Sequence, residues 1–330
     1  YCIMVCRKTK TVTVVFRGSV TAHNWLYNMK LMMTEQPNPL AYEQYAGRED
    51  KFRLHTGFGL YMLRRRKDIG MTKIDEIFNR IDHVGRELCE NGKYRVAVTG
   101  HSLGGALSTI FSFYAACDPR FTTTGPVRTF TFAAPRVGDD TFRLAYEHLE
   151  RTGRLRHARF SNTKDIVPLI PPCSIEGGRI GKWYRHVGLQ VKLHERGMRA
   201  EQLLRNAVDA TYPRNKSLSA ELGRALVSNN VLLNLTNLAG FGRNHSLSEH
   251  QRRLNFARQY RVGLAETEFF HDARKQRQRK LKSLEEYYQI RAGFSMLEEG
   301  AMEPFDVSAE RRLIRKRLLY VVLQIWGVMA

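Results

Sequence analysis

Apolar positions along the first 190 residues alternate between two rhythms. Thr11-Val12-Thr13-Val14-Val15-Phe16 is β-branched and stops at Arg17-Gly18-Ser19, which predicts a strand running into a loop. Asn24 to Met33 has mixed apolar spacing and predicts a short helix. Residues 34–54 carry Pro37, Pro39 and Gly47 among polar residues and predict a loop. Met71 to Glu90 places Ile74, Ile77, Phe78, Ile81, Val84 and Leu88 at a helical period and ends at Asn91-Gly92. Strands are predicted over Tyr94–Thr99, Val127–Ala133, Arg156–Ser161 and Val187–Leu193. Helices are predicted over Leu103–Cys117 and Asp140–Leu149. Such alternation with short connections predicts an α/β architecture, a mostly parallel sheet flanked by helices on both faces.

The texture changes near Glu195. Residues 199–238 are rich in Leu and Ala and predict helix, and residues 247–330 predict helices with a charged middle. The chain is therefore expected to divide into one large domain over residues 1–256, with a helical insertion at about 195–240, and a helical extension over 257–330. The opening residues enter a strand directly from Tyr1, so the expected domain starts upstream of this sequence.

Composition adds one constraint. Lys and Arg number 53 against 32 Asp and Glu, a net charge of +21, which points to an anionic partner. The charge is spread, at +15 over residues 1–250 and +6 over 251–330, so it is no basic tail on a neutral body. No zinc-finger spacing or aromatic RNA-binding run accompanies it, which argues against nucleic acid. The five cysteines have no metal-ligand spacing. The longest apolar run, Leu318 to Ala330, falls short of the roughly 20 residues that a transmembrane helix needs.

The sharpest motif is Thr99-Gly100-His101-Ser102-Leu103-Gly104-Gly105-Ala106, a Gly-x-Ser-x-Gly sequence between an apolar strand and a small-residue helix. That context predicts a sharp turn that exposes the Ser102 hydroxyl. The glycines remove the Cβ atoms that would collide across the turn, and the helix N-terminus aims N–H groups at a developing oxyanion. A serine nucleophile needs a base and a carboxylate to orient it. Asp165, just after a predicted strand in Asn162 to Pro168, is the carboxylate candidate; Asp139 and Asp140 are rivals at a helix start. Of the histidines that follow, His245 stands before Ser246-Leu247-Ser248-Glu249, a capping box that predicts a helix immediately after it. His245 is then a loop residue at a helix entrance, and it is preferred as the base. His186, among aromatics at a strand start, suits a buried hydrogen-bonded role better, although it stays open as an alternative. Oxyanion donors are expected from the backbone N–H groups of Leu103 and Ser19, the latter at the Phe16-Arg17-Gly18-Ser19 junction.

These motifs together resemble the class 3 lipases, the fungal-type triacylglycerol lipase family of α/β-hydrolases. Val14 to Ser19 is similar to that family's oxyanion loop, and Asn24-Trp25-Leu26 to the start of its lid. His55-Thr56-Gly57-Phe58, the Ser102 elbow, Ala134-Pro135-Arg136-Val137-Gly138, Asn162 to Pro168 and Tyr184-Arg185-His186-Val187-Gly188 follow in the family's order. Asn244-His245-Ser246 resembles the catalytic-His motif. The likeness covers roughly residues 10–256. It departs from the family in the long Asp165–His245 gap and in the tail.

The resemblance implies hydrolysis of a carboxylic ester in an acylglycerol or related lipid by Ser102, His245 and Asp165, without metal or organic cofactor. Alternatives are a phospholipase A or galactolipid acyl hydrolase, and a non-catalytic lipid-binding relative. Trp25, Leu26, Leu31, Met32 and Met33 are lid or acyl-site candidates. The expected partner is a lipid substrate at a membrane or droplet surface, with an anionic surface favoured by the charge, in a peripheral intracellular setting. Arg311 to Arg317 followed by the apolar terminus is a candidate membrane contact.

Overall fold

A computed structural model describes residues 1–18, 32–176, 179–193, 208–211 and 238–264. The sequence dictates the central strands by alternation. In β2 (Thr11–Phe16), β5 (Arg95–His101), β6 (Val127–Phe132) and β7 (Leu155–Asn162), every second residue is buried. With β1 (Cys2–Cys6), β10 (Leu189–Leu193) and β11 (Val208–Thr211) they form one seven-stranded sheet in the order β1-β2-β5-β6-β7-β10-β11. The five inner strands run parallel, and β1 and β11 close the edges antiparallel.

The buried residues of these strands face three helices. They are α2 (Lys73–Leu88), α3 (Leu103–Cys117) and α4 (Asp140–Arg151). Phe16 of β2 packs on Phe111 of α3, which in turn meets Phe78 of α2. His157 of β7 packs on Tyr146 of α4. Thr72 caps α2 reciprocally with Asp75, which fixes its start two residues inside the predicted span. On the other sheet face, α6 (Leu247–Leu264) reaches the C-terminal ends of the strands, where His250 meets Phe132 and Asn162. Toward the N-terminal ends that face carries the exposed Arg95, Arg128, Phe130 and Arg156.

Several expectations are corrected. Residues 34–54 are not all loop: β3 (Met33–Pro37) and β4 (Lys51–His55) pair antiparallel. Pro37 is tolerated because it is the last residue of β3 in a two-stranded ribbon, where no inner ladder needs the N–H that proline lacks. Met33, expected to finish a helix, therefore starts a strand; residues 24–31 lie outside the described residues. A helix, α1 (Thr56–Leu63), follows β4 directly, capped by the His55 ring, which accepts from the Phe58 N–H. A second hairpin, β8 (Cys173–Glu176) with β9 (Arg179–Trp183), was not foreseen. Within the stretch expected to be helical, 208–211 is the strand β11, and the rest of 194–237 lies outside the described residues.

By internal contacts the chain divides into two units, Tyr1–Asn215 with Ser228–Arg253, and Lys216–Val227 with Leu254–Ala330. The first holds the whole sheet. The second is described only over the last turns of α6. Among the described residues no helix is long and apolar enough to cross a membrane.

Candidate active site

The turn between β5 and α3 is built as the motif demands. Ser102 takes φ 56° and ψ −124°, a left-handed backbone that costs a non-glycine residue on the order of 1–2 kcal/mol. The turn persists because the flanking chains leave no alternative. A Cβ on Gly104 would stand 2.2 Å from the Phe16 carbonyl oxygen, so α3 starts directly against the end of β2. A Cβ on Gly18 would stand 2.9 Å from the His101 carbonyl oxygen and 3.7 Å from the Ser102 Cβ. Gly18, two residues past the end of β2, thus lies beside the serine. Leu103 opens α3, where first-turn N–H groups have no intrahelical acceptor.

Around this turn the structure gathers three predicted residues. The Ser102 hydroxyl donates to His245 Nε2 at 2.8 Å. His245 Nδ1–H donates to both Asp165 carboxylate oxygens at 3.2 Å. All three side chains are buried. The two rivals to Asp165 are engaged elsewhere. Asp139 caps α4 through the Phe142 N–H and takes the Thr141 hydroxyl, and Asp140 pairs with Arg143 and Arg185. His186 Nε2–H donates to the Pro168 carbonyl, which braces the loop after Asp165, and burial holds its ring well below the ordinary histidine pKa.

One local expectation fails. His245 is not on a loop but is the last residue of a short helix, α5 (Leu238–His245), and Ser246 is the hinge before α6. Ser246 Oγ does accept from the Glu249 N–H at 3.2 Å. The Glu249 carboxylate binds Arg252 and Arg253, which hold it down at a pKa of about 2. Of the remaining predicted site residues, Ser19, Trp25 and Leu26 lie outside the described residues, as do Leu31, 265–330 and most of 195–240. Met32 is exposed, whereas Met33 is buried in β3 and is no flap residue.

Three tethers around His245 were not anticipated. His101 Nε2–H donates to the His245 carbonyl at 2.7 Å, and burial together with the nearby His245 ring lowers the His101 pKa to about 4, so its ring is neutral at pH 7. Asn162 Nδ2–H donates to the Asn244 carbonyl at 2.8 Å. Arg253 Nη2–H donates to the Asn244 side chain at 2.9 Å. His101 and Asn162 stand inside recognisable motifs, but Arg253 has no motif around it. Among the described residues no group of three or more His, Cys, Asp or Glu is placed to hold a metal ion.

A strained serine at a strand-to-helix turn, bonded to a histidine that is bonded to a carboxylate, is the arrangement that activates a hydroxyl as a nucleophile. The family model described as Lipase (class 3) matches residues 13–175, which span β2 to β8 and include the elbow and Asp165. This stretch belongs to the class 3 lipase family. The sheet and elbow of the lipase domain accordingly follow the α/β-hydrolase architecture. Phospholipase A1-IIgamma of Arabidopsis thaliana is 29% identical over 172 residues, covering 49% of this chain and 39% of that protein. A lipase of Rhizomucor miehei is 28% identical over 176 residues, covering 53% and 41%. The chloroplastic galactolipase DONGLE of Arabidopsis thaliana is 27% identical over 209 residues, covering 56% and 41%. The chain thus spans about two fifths of the length of these relatives. Among solved structures, lipase II from Rhizopus niveus is 22% identical with a TM-score of 0.46, covering 70% of this chain and 71% of that one.

Proposed function

We propose that the protein is a serine hydrolase that cleaves carboxylic ester bonds of acylglycerols at a lipid surface. The observation that carries this reading is the continuous Ser102–His245–Asp165 hydrogen-bond chain on a strained elbow. Ser102 Oγ attacks the ester carbonyl carbon as His245 Nε2 takes the hydroxyl proton. Asp165 holds the Nδ1–H tautomer and stabilises the imidazolium. The tetrahedral oxyanion is assigned to the backbone N–H groups of Leu103 and Ser19. Collapse expels the alcohol, which takes the proton from His245 and leaves the acyl chain on Ser102. Water, deprotonated by His245, then releases the fatty acid. No step calls for a metal or organic cofactor.

The relatives' names support both an acylglycerol and a glycerophospholipid or galactolipid substrate, for they include a lipase, a phospholipase A1 and a galactolipase. The acyl ester chemistry is shared and only the head group differs. The charge of +21 favours substrate presented on an anionic surface, where basic residues add attraction without entering the chemistry. Trp25 and Leu26 are assigned to the lid or acyl site. A hydrolysis panel tests the reading: acyl chains of varied length on mono-, di- and triacylglycerol, phosphatidylcholine, phosphatidylglycerol and galactolipid, with Ser102→Ala as control. Release of fatty acid by the wild type and not by S102A supports it. Equal release by both refutes it.

A further inference from the structure

We propose that Arg253 is a positioning residue that locks the loop carrying Asp165 to the chain segment carrying His245, and so sets the carboxylate–imidazole hydrogen bond. The inference rests on the triad reading above. Asp165 and His245 are 80 residues apart in sequence, and both sit beyond the regular ladder of the sheet. Something other than sheet pairing must fix one against the other to within a fraction of an ångström. Arg253, on α6 and 2% exposed, bonds Thr163 and Asn244 in the segments that carry them.

Its guanidinium spans three separate segments. Nη1–H groups donate to the Thr163 hydroxyl at 2.8 Å and to the Leu193 carbonyl at 3.1 Å. Nη2–H donates to the Asn244 side-chain oxygen at 2.9 Å, and Nε–H to Glu249 at 2.8 Å. Thr163 lies two residues before Asp165, and its own N–H is bonded to the Leu193 carbonyl at 2.8 Å. Asn244 immediately precedes His245, and its backbone carbonyl is held independently by Asn162. One planar fork thereby ties the acid loop, the end of β10 and the base segment together. Lysine, with a single charged nitrogen, cannot reproduce that geometry. Replacing Arg253 does not orphan the Glu249 carboxylate, because Arg252 remains bonded to both of its oxygens. The fold should therefore survive the substitution.

A role limited to holding α6 on the sheet would cost stability and nothing else. The test must read geometry at the triad. Arg253→Met and Arg253→Lys are made in the full chain, with Thr163→Val and Asn244→Ala each cutting one arm of the clamp should R253M fail to fold. Active-site concentration is titrated with a fluorophosphonate. kcat and KM are measured on p-nitrophenyl butyrate, with circular dichroism and a thermal melt alongside. R253M is expected to lose about 100-fold in kcat per titrated site, the scale on which a misplacement of about 1 Å acts, with KM within two-fold. R253K should fall between R253M and wild type, and T163V and N244A should each lose a smaller factor that does not add to R253M. An R253M that keeps wild-type kcat per site overturns the clamp, even with a lowered Tm. So do unchanged T163V and N244A. A wild type that takes no label overturns the triad and the clamp together, whereas labelled Ser102 with an undiminished R253M overturns the clamp alone.

Discussion

Gly104→Ala probes how closely the elbow depends on the strand before it. The added Cβ would meet the Phe16 oxygen at 2.2 Å, the Phe16 carbonyl carbon at 2.8 Å and the Arg17 carbonyl carbon at 2.9 Å, all backbone atoms that cannot rotate away. Relief to an ordinary contact of about 3.4 Å requires β2 and α3 to separate by about 1.2 Å. In stability the change is modest. Overpacking costs about 1–3 kcal/mol, and alanine in a helix recovers about 1 kcal/mol over glycine, which leaves a net loss of about 0–2 kcal/mol. In activity it is larger, because the separation falls between the end of β2 and the Leu103 N–H, the two sources assigned to the oxyanion hole. About 1 Å there is expected to cost on the order of 100-fold in kcat. Gly92→Ala is the control: Gly92 has φ +66° and open space on the side where a Cβ would stand, so it should lose about 1–2 kcal/mol to strain and no activity. Stopped-flow hydrolysis of a soluble ester, normalised to titrated sites, and thermal melts read both effects. Equal rates in the two variants, or a G104A loss that merely tracks the unfolded fraction, would refute the reasoning.

Other consequences follow from the same geometry. Asp165→Asn should lower kcat by about 10⁴ with the fold intact, since the wrong imidazole tautomer is then presented to Ser102; steady-state kinetics on titrated sites check it. Phe111→Ala removes a fully buried ring packed on Phe16 and Phe78 and should cost about 3–5 kcal/mol in urea unfolding. Stability should also fall at both ends of the pH range. Burial lowers His157 to about 3, so the unfolded chain binds the extra proton, and stability drops as pH falls from 6.5 toward 3. Burial raises Glu150 to about 8, with Glu147 adding to it, so the folded chain retains a proton that the unfolded one has lost, and stability drops as pH rises from 4.5 toward 8. Glu150→Gln should flatten the alkaline side in urea titrations at several pH values, and an unchanged alkaline slope would remove Glu150 as its cause.

What the sequence reveals and what it hides have physical causes. Ser102 is legible because its turn is impossible without small residues on both sides, so geometry is written directly into Gly100, Gly104 and Gly105. Asp165 is legible because β7 alternates cleanly up to Asn162 and a carboxylate after a strand end has few other uses. His245 is recognisable but reads as a loop residue, since the Ser246 cap announces α6 and nothing announces that α5 ends one residue earlier. β3 and β4 are hidden by Pro37, whose meaning as a breaker depends on whether a partner strand would need the N–H that proline lacks. The Lys51-Phe52-Arg53-Leu54 alternation is present but short. Arg253 leaves no trace. On a helix rich in charge, one arginine reads as a solvated residue, and only the fold shows that it is buried against Thr163, Leu193 and Asn244.

The central claim is that Ser102 is an activated nucleophile. Incubating the intact protein with a fluorophosphonate and locating the adduct by peptide mass spectrometry tests it most directly. The account predicts one adduct, on Ser102, formed quickly in the wild type and lost in His245→Ala. No adduct, an adduct on another serine, or undiminished labelling of His245→Ala would contradict it.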